Sequence, residues 1–466
     1  MYYNPLLDTD SYKASHYLQY PPDTKYLSAY IESRGGAYPA TLFFGLQMYL
    51  KSMTPITEEN IEEAKVFWAQ HGLPFNEAGF RYILEEYDGF WPIRIEAVPE
   101  GTLVPTGNVL VQVTNTDPDV PWVVSYIESQ LLRAVWYPTT VATTSFFLKK
   151  ALYNFWKKSS DAPLDSLDFK LHDFGLCGVS SFESAGIGGC AHLVNFKGSD
   201  TVPGIQFANE FYGERMAGFS IPAAEHSTIT SWGGPDKEIH AFRNMVNQFG
   251  GPGKIYACVS DSYDILAACE WKWPSLESLI ISKGGTLVVR PDSGNPITMP
   301  ADVIDTLMGR FGNKVNSKGY LVLPDHIRVI QGDGIGRASL PKILHELDLR
   351  KLSIDNIAFG MGGGLLQQCD RDTCSFAMKV TAIKRHVVGQ WEPVSKQPKG
   401  VSSKASKAGR LALVKDTDGR LTTVPEDQAV GASNQLQLVW DDTLGLLSDQ
   451  SFAEIRTRAQ EALLNG

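Results

Sequence analysis

Asp261, Asp292 and Asp333 each close a short apolar run followed by polar residues: Ile255-Tyr-Ala-Cys-Val, Leu287-Val-Val and Ile327-Arg-Val-Ile. Carboxylates delivered to one cavity by separate strands suit Mg²⁺, which takes oxygen ligands, or a sugar diol through hydrogen bonds. For Asp261 a helix N-cap is the competing structural reading. No HxH or HExxH spacing argues for zinc. After a further apolar run comes Gly360-Met361-Gly362-Gly363-Gly364. Glycines there let backbone N–H groups approach an anion, and the following Leu-Leu-Gln-Gln can open a helix whose N-terminus favours negative charge. The spacing is not GxGxxG, so it gives no dinucleotide fingerprint. His226 sits in Ala-Ala-Glu-His-Ser-Thr-Ile with Glu225 beside it. An imidazole at a strand end can act as a base or accept a phosphoryl group, although a lone His is more often structural. Together these groups fit a phosphorylated sugar, particularly one carrying a pyrophosphate leaving group, and leave the acceptor open.

Composition limits the partners. Of 466 residues 43% are apolar and 20% charged, the balance of a globular chain with a buried core. Forty-two basic against fifty-two acidic residues give a net charge of −10, which repels phosphate backbones and anionic lipid. Neither nucleic acid nor membrane is an expected partner, and an anionic substrate must be drawn in by local donors. The six cysteines include no CxxC pair and read as reduced thiols. The N-terminus lacks a basic n-region and a long apolar segment. The expectation is a cytoplasmic protein.

Seven apolar runs between residues 168 and 364 end in polar or Gly clusters. They are Phe169-Lys-Leu, His192-Leu-Val-Asn-Phe, Ile221-Pro-Ala-Ala, and the runs starting at Ile255, Leu287, Ile327 and Ile357. Most are separated by helix-length stretches such as 262–270 and 340–347. Strand, polar loop and helix in this repetition predict a parallel α/β barrel whose C-terminal loops build the site. The last Gly cluster falls where barrels place a phosphate.

Flanking segments differ. Helices are predicted over 57–70, 76–87, 122–136, 142–158 and 452–464, antiparallel strands over 93–116, a basic Ser-rich loop over 396–407 and a hairpin from Arg410. The expected fold class is therefore α/β, an irregular (β/α) barrel with a discontinuous α/β sandwich domain formed from N- and C-terminal segments. Its divisions are 1–150 and 381–466 for the sandwich and 151–380 for the barrel.

The ordered blocks Leu6-Leu-Asp-Thr-Asp-Ser-Tyr-Lys13, His172-Asp-Phe-Gly175, Gly198-Ser-Asp-Thr201, Ala223-Ala-Glu-His-Ser-Thr-Ile229, Arg290-Pro-Asp-Ser-Gly-Asn-Pro296, Gln331-Gly-Asp-Gly334 and Gly360-Met-Gly-Gly-Gly-Leu-Leu-Gln367 run through nearly the whole chain. In them the sequence resembles the nicotinamide phosphoribosyltransferase family, in a compact bacterial-type form. The resemblance implies coupling of nicotinamide to 5-phosphoribosyl 1-pyrophosphate, with Mg²⁺ required, ATP hydrolysis stimulating the reaction through phosphorylation of His226, and a homodimer with shared active sites. It implies that Phe174 and Tyr12 from the other subunit sandwich the pyridine ring, while Asp200 and Arg290 hold the carboxamide. Asp292, Gly332 and Asp333 would hold the ribose, and Gly362 with Gly363 the 5-phosphate. Arg371 and Ser375 would reach the phosphates from the other chain, Arg34 the pyrophosphate, and Asp261 with Asp292 the Mg²⁺. His226, Asp292 and Arg290 are the expected catalytic set.

Two departures stand out. Leu176-Cys177-Gly178 occupies a stretch where the family pattern expects a basic residue, and Ala377 stands where a lysine is expected, with Lys379 as a substitute. The rival readings are nicotinate phosphoribosyltransferase, a glycoside-hydrolase barrel with paired carboxylates, and a non-catalytic phosphosugar-binding protein. Asp200 argues against the first, because a carboxylate there repels that of nicotinate.

Overall fold

The computed structural model describes residues 3–399, 405–429, 431 and 433–465. The chain forms two compact units, one of Met1–Thr143, Phe211–Gly213 and Cys369–Gly466, the other of Thr144–Glu210 and Glu214–Gln368.

The second unit is the barrel. Its parallel strands are β1 (Leu171–Asp173), β2 (Gly198–Ser199), β3 (Ile255–Val259), β4 (Thr286–Arg290), β5 (Ile327–Gln331) and β6 (Ile357–Met361), in spatial order β2-β1-β6-β5-β4-β3. The two edges are joined by an irregular stave. Phe219 bridges to Gly198 of β2, and Ala223 bridges to Ala257 of β3. Pro222 has no N–H to donate, so this stave cannot hold a regular ladder; its carbonyl instead accepts from Ala257 N at 2.8 Å. Inside, Ala257, Val288 and Ile330 form a buried cluster against which Phe174, Ile221 and Ala358 pack.

Between strands lie helices α1 (Phe182–Leu193), α2 (Val202–Tyr212), α3 (His226–Thr230), α4 (Glu238–Phe249), α5 (Met299–Phe311) and α6 (Leu340–Leu349). The run at His192 is not the expected strand. It ends α1 and turns, with Asn195 N and Phe196 N both donating to His192 O. Glycine is a poor helix former, yet α1 holds Gly186, Gly188 and Gly189. The close approach explains this: a Cβ on Gly189 would lie 3.0 Å from Gly204 Cα in α2. The helix expected at 262–270 is instead Ile265–Ala267 followed by a widened π turn, Ala268–Lys272.

The first unit centres on an antiparallel sheet. Its order is Glu392–Pro393, Phe376–Lys384, Tyr26–Ser33, Val109–Asn115, Ile93–Ala97, Gln437–Asp441, Gly445–Leu446, so N- and C-terminal segments share one layer. Strand Phe376–Lys384 pairs along the whole of Tyr26–Ser33. That pairing holds 376–380 in this unit, whose last segment starts at Cys369, whereas the expected barrel limit was 380. The helix Glu58–His71 has a Thr57/Asn60 capping box and stops at Gly72, whose φ of 85° a side chain would strain. The predicted hairpin is present as Leu411–Lys415 paired with Leu421–Pro425. The two helices expected over 122–158 are Val123–Tyr126 and one continuous Glu128–Ser159 containing Pro138. The proline ring is seated against Gly45, where a Cβ would come within 2.2 Å of it. Part of the expected basic loop, 400–404, lies outside the described residues. Among the described residues no helix is long and apolar enough to cross a membrane.

Glu100 is buried in this unit and accepts from Gln47 N and Tyr212 Oη, each at 2.8 Å. Burial pushes its carboxyl from 4.5 up to about 7. The folded state therefore binds the extra proton, and stability falls as pH rises from about 4.5 to 7 and then levels. Glu100→Gln is expected to raise Tm at pH 8 and to change it little at pH 5 in scanning calorimetry. An equal shift at both pH values would contradict the assignment.

Candidate active site

At the C-terminal rim of the barrel, one carboxylate joins three successive loops. Asp261, just past β3, has a side chain only 2% exposed. Its Oδ1 lies 3.0 Å from His226 Nε2, at the start of α3. Its Oδ2 accepts from Asp292 N at 2.9 Å and from Ser293 Oγ at 2.5 Å, both in the loop after β4. A carboxylate can only accept, so His226 presents Nε2–H to it, and in the neutral imidazole this puts the lone pair on Nδ1. His226 itself is exposed. A cavity of about 480 Å³ is lined by Glu225, His226, Ser227, Val259, Arg290 and Asp292.

Arg290 ends β4 and donates to Asp292 Oδ1 at 2.8 Å. Its Nε is buried without a partner. Gly332 lets the guanidinium pass: a Cβ there would sit 3.2 Å from Arg290 Nε and 3.4 Å from Asp292 Oδ1. Gln331, fully buried, donates to Asp333 O at 2.8 Å, and the Asp333 side chain is left exposed. Arg290, Asp292, Gly332 and Asp333 are thus neighbours on adjoining β4 and β5.

The remaining expected residues of this unit follow β1, β2 and β6. Phe174 N donates to Met361 O at 2.9 Å, and its ring lies on Gly360, where a Cβ would come within 2.0 Å of it. The Arg290 guanidinium stands 5.4 Å from the ring centroid, a cation–π contact. Asp200 follows β2; its N donates to Asp173 O at 2.9 Å, and its Oδ1 accepts from the Ser220 hydroxyl. His172 donates Nε2–H to Phe169 O at 3.0 Å, and burial pushes its imidazole below the ordinary range, so it is neutral here. Gly362 and Gly363 open the short helix after β6. Gly178 packs backbone to backbone on Gly363, since a Cβ on it would lie 3.1 Å from Gly363 Cα. The exposed Cys177 is therefore carried beside the glycine loop.

Within the first unit, Arg34 N donates to Ser375 O at 3.1 Å, so Arg34 and Ser375 share one end of the sheet, and Arg371 lies in the preceding turn. Arg34 Nε bonds Glu32 at 2.9 Å, while its Nη2 is buried without a partner. Lys407 also pairs with Glu32. Tyr12 is 57% exposed. Sequence reasoning passed over Ser220, Ser293, Gln331 and Lys407. Ser293 and Gln331 stand inside the Arg290–Pro296 and Gln331–Gly334 blocks, and Lys407 ends the basic loop at 396–407, which are usable signals; nothing local marks Ser220.

The fit to Mg²⁺ is uneven. The described residues contain no group of three or more His, Cys, Asp or Glu placed to hold a metal. Asp261 spends both oxygens on protein donors and is poorly suited as a direct ligand. Asp292 shows a bond on Oδ1 alone, from Arg290, which leaves Oδ2 suited to a cation. A site with one carboxylate fits Mg²⁺ held mainly by substrate phosphates and water.

Residues 169–444 match the nicotinate phosphoribosyltransferase (NAPRTase) family, and residues 4–95 match the nicotinamide phosphoribosyltransferase N-terminal domain. The chain is 49% identical over 469 residues to a nicotinamide phosphoribosyltransferase of Xanthomonas campestris pv. campestris, covering 99% of each chain. It is 32% identical over 447 residues to one of Mycoplasma pneumoniae, covering 87% of this chain and 95% of the relative. Among solved structures, nicotinate-nucleotide pyrophosphorylase from Pyrococcus furiosus superposes with a TM-score of 0.62 at 15% identity, over 99% of this chain and 97% of that one. Human nicotinic acid phosphoribosyltransferase gives 0.58 at 17%, over 98% and 93%. Those two share the fold of this chain. The chain belongs to the nicotinate phosphoribosyltransferase (NAPRTase) family.

Gly360→Ala is expected to push the Phe174 ring off its seat. Binding of a ring substrate should weaken about tenfold, the scale of one lost aromatic contact, with little change in far-UV circular dichroism. Unaltered binding would show that the ring's position does not matter.

Proposed function

We propose that this chain is a nicotinamide phosphoribosyltransferase, forming nicotinamide mononucleotide and pyrophosphate from nicotinamide and 5-phosphoribosyl 1-pyrophosphate in NAD biosynthesis. The observation that carries this reading is the 49% identity across 99% of both chains to a relative of that name. The geometry supplies a mechanism. Loss of pyrophosphate from ribose C1 develops oxocarbenium character, so fixed carboxylates that hold the sugar hydroxyls and cations that hold the leaving group lower the barrier. Asp292, Gly332 and Asp333 are grouped to hold the ribose, and the loop at Gly362 and Gly363 to take its 5-phosphate.

Phe174 orients the pyridine ring so that its weakly nucleophilic nitrogen faces C1, an effective-molarity gain. Arg290, over the Phe174 ring and joined to Asp292, can hold the amide oxygen and the sugar side in one register. Asp200 accepts from the carboxamide NH₂, and its charge repels nicotinate. That disfavours the nicotinate enzyme as an alternative. Mg²⁺ would be held through Asp292 and would supply charge neutralisation for the departing pyrophosphate.

ATP coupling belongs to the same reading. With Nε2–H committed to Asp261, Nδ1 of His226 can attack the γ-phosphorus of ATP; the N–P bond forms, the P–O bond to ADP breaks, and water later cleaves the phosphohistidine. Negative charge there would order the pyrophosphate site. We further propose a cytoplasmic homodimer, in which Tyr12, Arg34, Arg371 and Ser375 of one protomer complete the site of the other. Cys177 in place of a basic residue leaves one phosphate contact fewer, which weakens the hold on the sugar pyrophosphate.

The test is to incubate the protein with the sugar pyrophosphate, Mg²⁺ and either nicotinamide or nicotinate, and to identify the mononucleotide by mass. Nicotinamide mononucleotide is expected; nicotinate mononucleotide as the main product would overturn the reading. Asp200→Asn is expected to raise KM for nicotinamide about tenfold, the cost of a charge-assisted hydrogen bond, and to narrow the preference over nicotinate. His226→Ala is expected to abolish ATP hydrolysis during turnover while leaving slower synthesis; hydrolysis at the original rate would exclude His226 as the acceptor.

A further inference from the structure

Asp173, at the end of β1, is fully buried and precedes the ring-stacking Phe174. Its Oδ1 accepts from Gly175 N at 2.7 Å, which fixes the turn that carries Phe174. Its Oδ2 is buried with no hydrogen-bond partner. Thr201, directly after Asp200, is equally buried, and its Oγ1 likewise lacks a partner. The two side chains are neighbours. A Cβ on Gly189 would lie 3.0 Å from Thr201 Cγ2 and 3.4 Å from Asp173 Oδ2, so both line one gap at the α1–α2 crossing. Among the described residues no cation pairs with Asp173, and Asp200 is the charged group that opposes its ionisation.

Two buried polar atoms left unpaired side by side cost more than a hydrogen bond between them. Burial pushes the Asp173 carboxyl up to about 7, and the Thr201 hydroxyl is close enough to moderate the rise. The backbone already ties these loops once, through Asp200 N to Asp173 O at 2.9 Å. A side-chain bond would tie them a second time.

We propose that Asp173 and Thr201 close into a buried hydrogen-bonded pair that sets the spacing between Phe174 and Asp200, and so act as positioning residues for recognition of the amide-bearing ring. This rests on the reading that Phe174 and Asp200 bind nicotinamide. The pair touches no substrate. It governs whether the stacking face and the amide acceptor are presented at one separation, a geometric demand to which ring binding is sensitive and sugar binding is not.

The experiment compares wild type, Thr201→Val and Thr201→Ser by steady-state kinetics in both substrates, with Tm measured for each. Valine keeps the shape and removes the hydroxyl; serine keeps the hydroxyl. The expected result is a rise in KM for nicotinamide of about tenfold in Thr201→Val, with KM for the sugar pyrophosphate unchanged and the value restored to within about twofold in Thr201→Ser. Asp173→Asn, which keeps a hydrogen-bonding group without charge, should resemble Thr201→Ser. An unchanged KM for nicotinamide in Thr201→Val, an equal rise for both substrates, or no rescue by serine would overturn the proposal. A wild-type protein that makes no nicotinamide mononucleotide would instead overturn the underlying reading, before any variant is compared.

Discussion

The site depends on the buried carboxylate of Asp261. One side chain accepts from the imidazole after the irregular stave, from a backbone N–H after β4 and from a hydroxyl one residue further on. Loops are ordinarily the mobile parts of a barrel, and three donors on one acceptor make them a single body. The same bonds decide what each group can do. His226 is held in one tautomer, with Nε2 toward Asp261. Asp292 is anchored through its own backbone, so its side chain remains available to Arg290 and to substrate. Asp261 thereby organises the rim, with both of its oxygens taken by protein donors.

A second constraint is the absence of Cβ atoms. Phe174 can lie across β6 because residue 360 is glycine, the Arg290 guanidinium can cross β5 because residue 332 is, and the segment at Cys177 reaches the glycine loop because Gly178 meets Gly363. At these positions glycine supplies space and not flexibility. The barrel thus brings aromatic, cationic and anionic groups closer than side-chain-bearing strands would permit, in a chain whose overall charge of −10 offers an anionic substrate no general attraction.

Much of this was legible in the sequence because parallel strands are short apolar runs whose polar ends face one rim. Asp261, Arg290, Asp292 and Asp333 could be placed at strand ends from that pattern, and the structure groups them there. The errors have physical causes. His192-Leu-Val-Asn-Phe looks like a strand in composition, but α1 and α2 approach through Gly189 and Gly204, and the run is spent on the end of α1 and the turn that follows it. The limit at 380 failed because pairing between Tyr26–Ser33 and Phe376–Lys384 is long-range and leaves no local trace. Ser220 was invisible for a similar reason: its bond to Asp200 follows from the irregular stave lying beside β2. Hydrogen-bond partners across a sheet are set by register, which one sequence does not display.

The central claim is that Asp261 fixes the His226 tautomer. Long-range ¹H–¹⁵N correlation spectra of histidine-labelled protein at pH 8.5, with the signal assigned by its loss in His226→Gln, test this directly. The account predicts a protonated Nε2 and an unprotonated Nδ1 for His226, and averaging of the two nitrogens in Asp261→Ala. An Nδ1–H tautomer in the wild type, or identical His226 shifts with and without the Asp261 carboxylate, would contradict it.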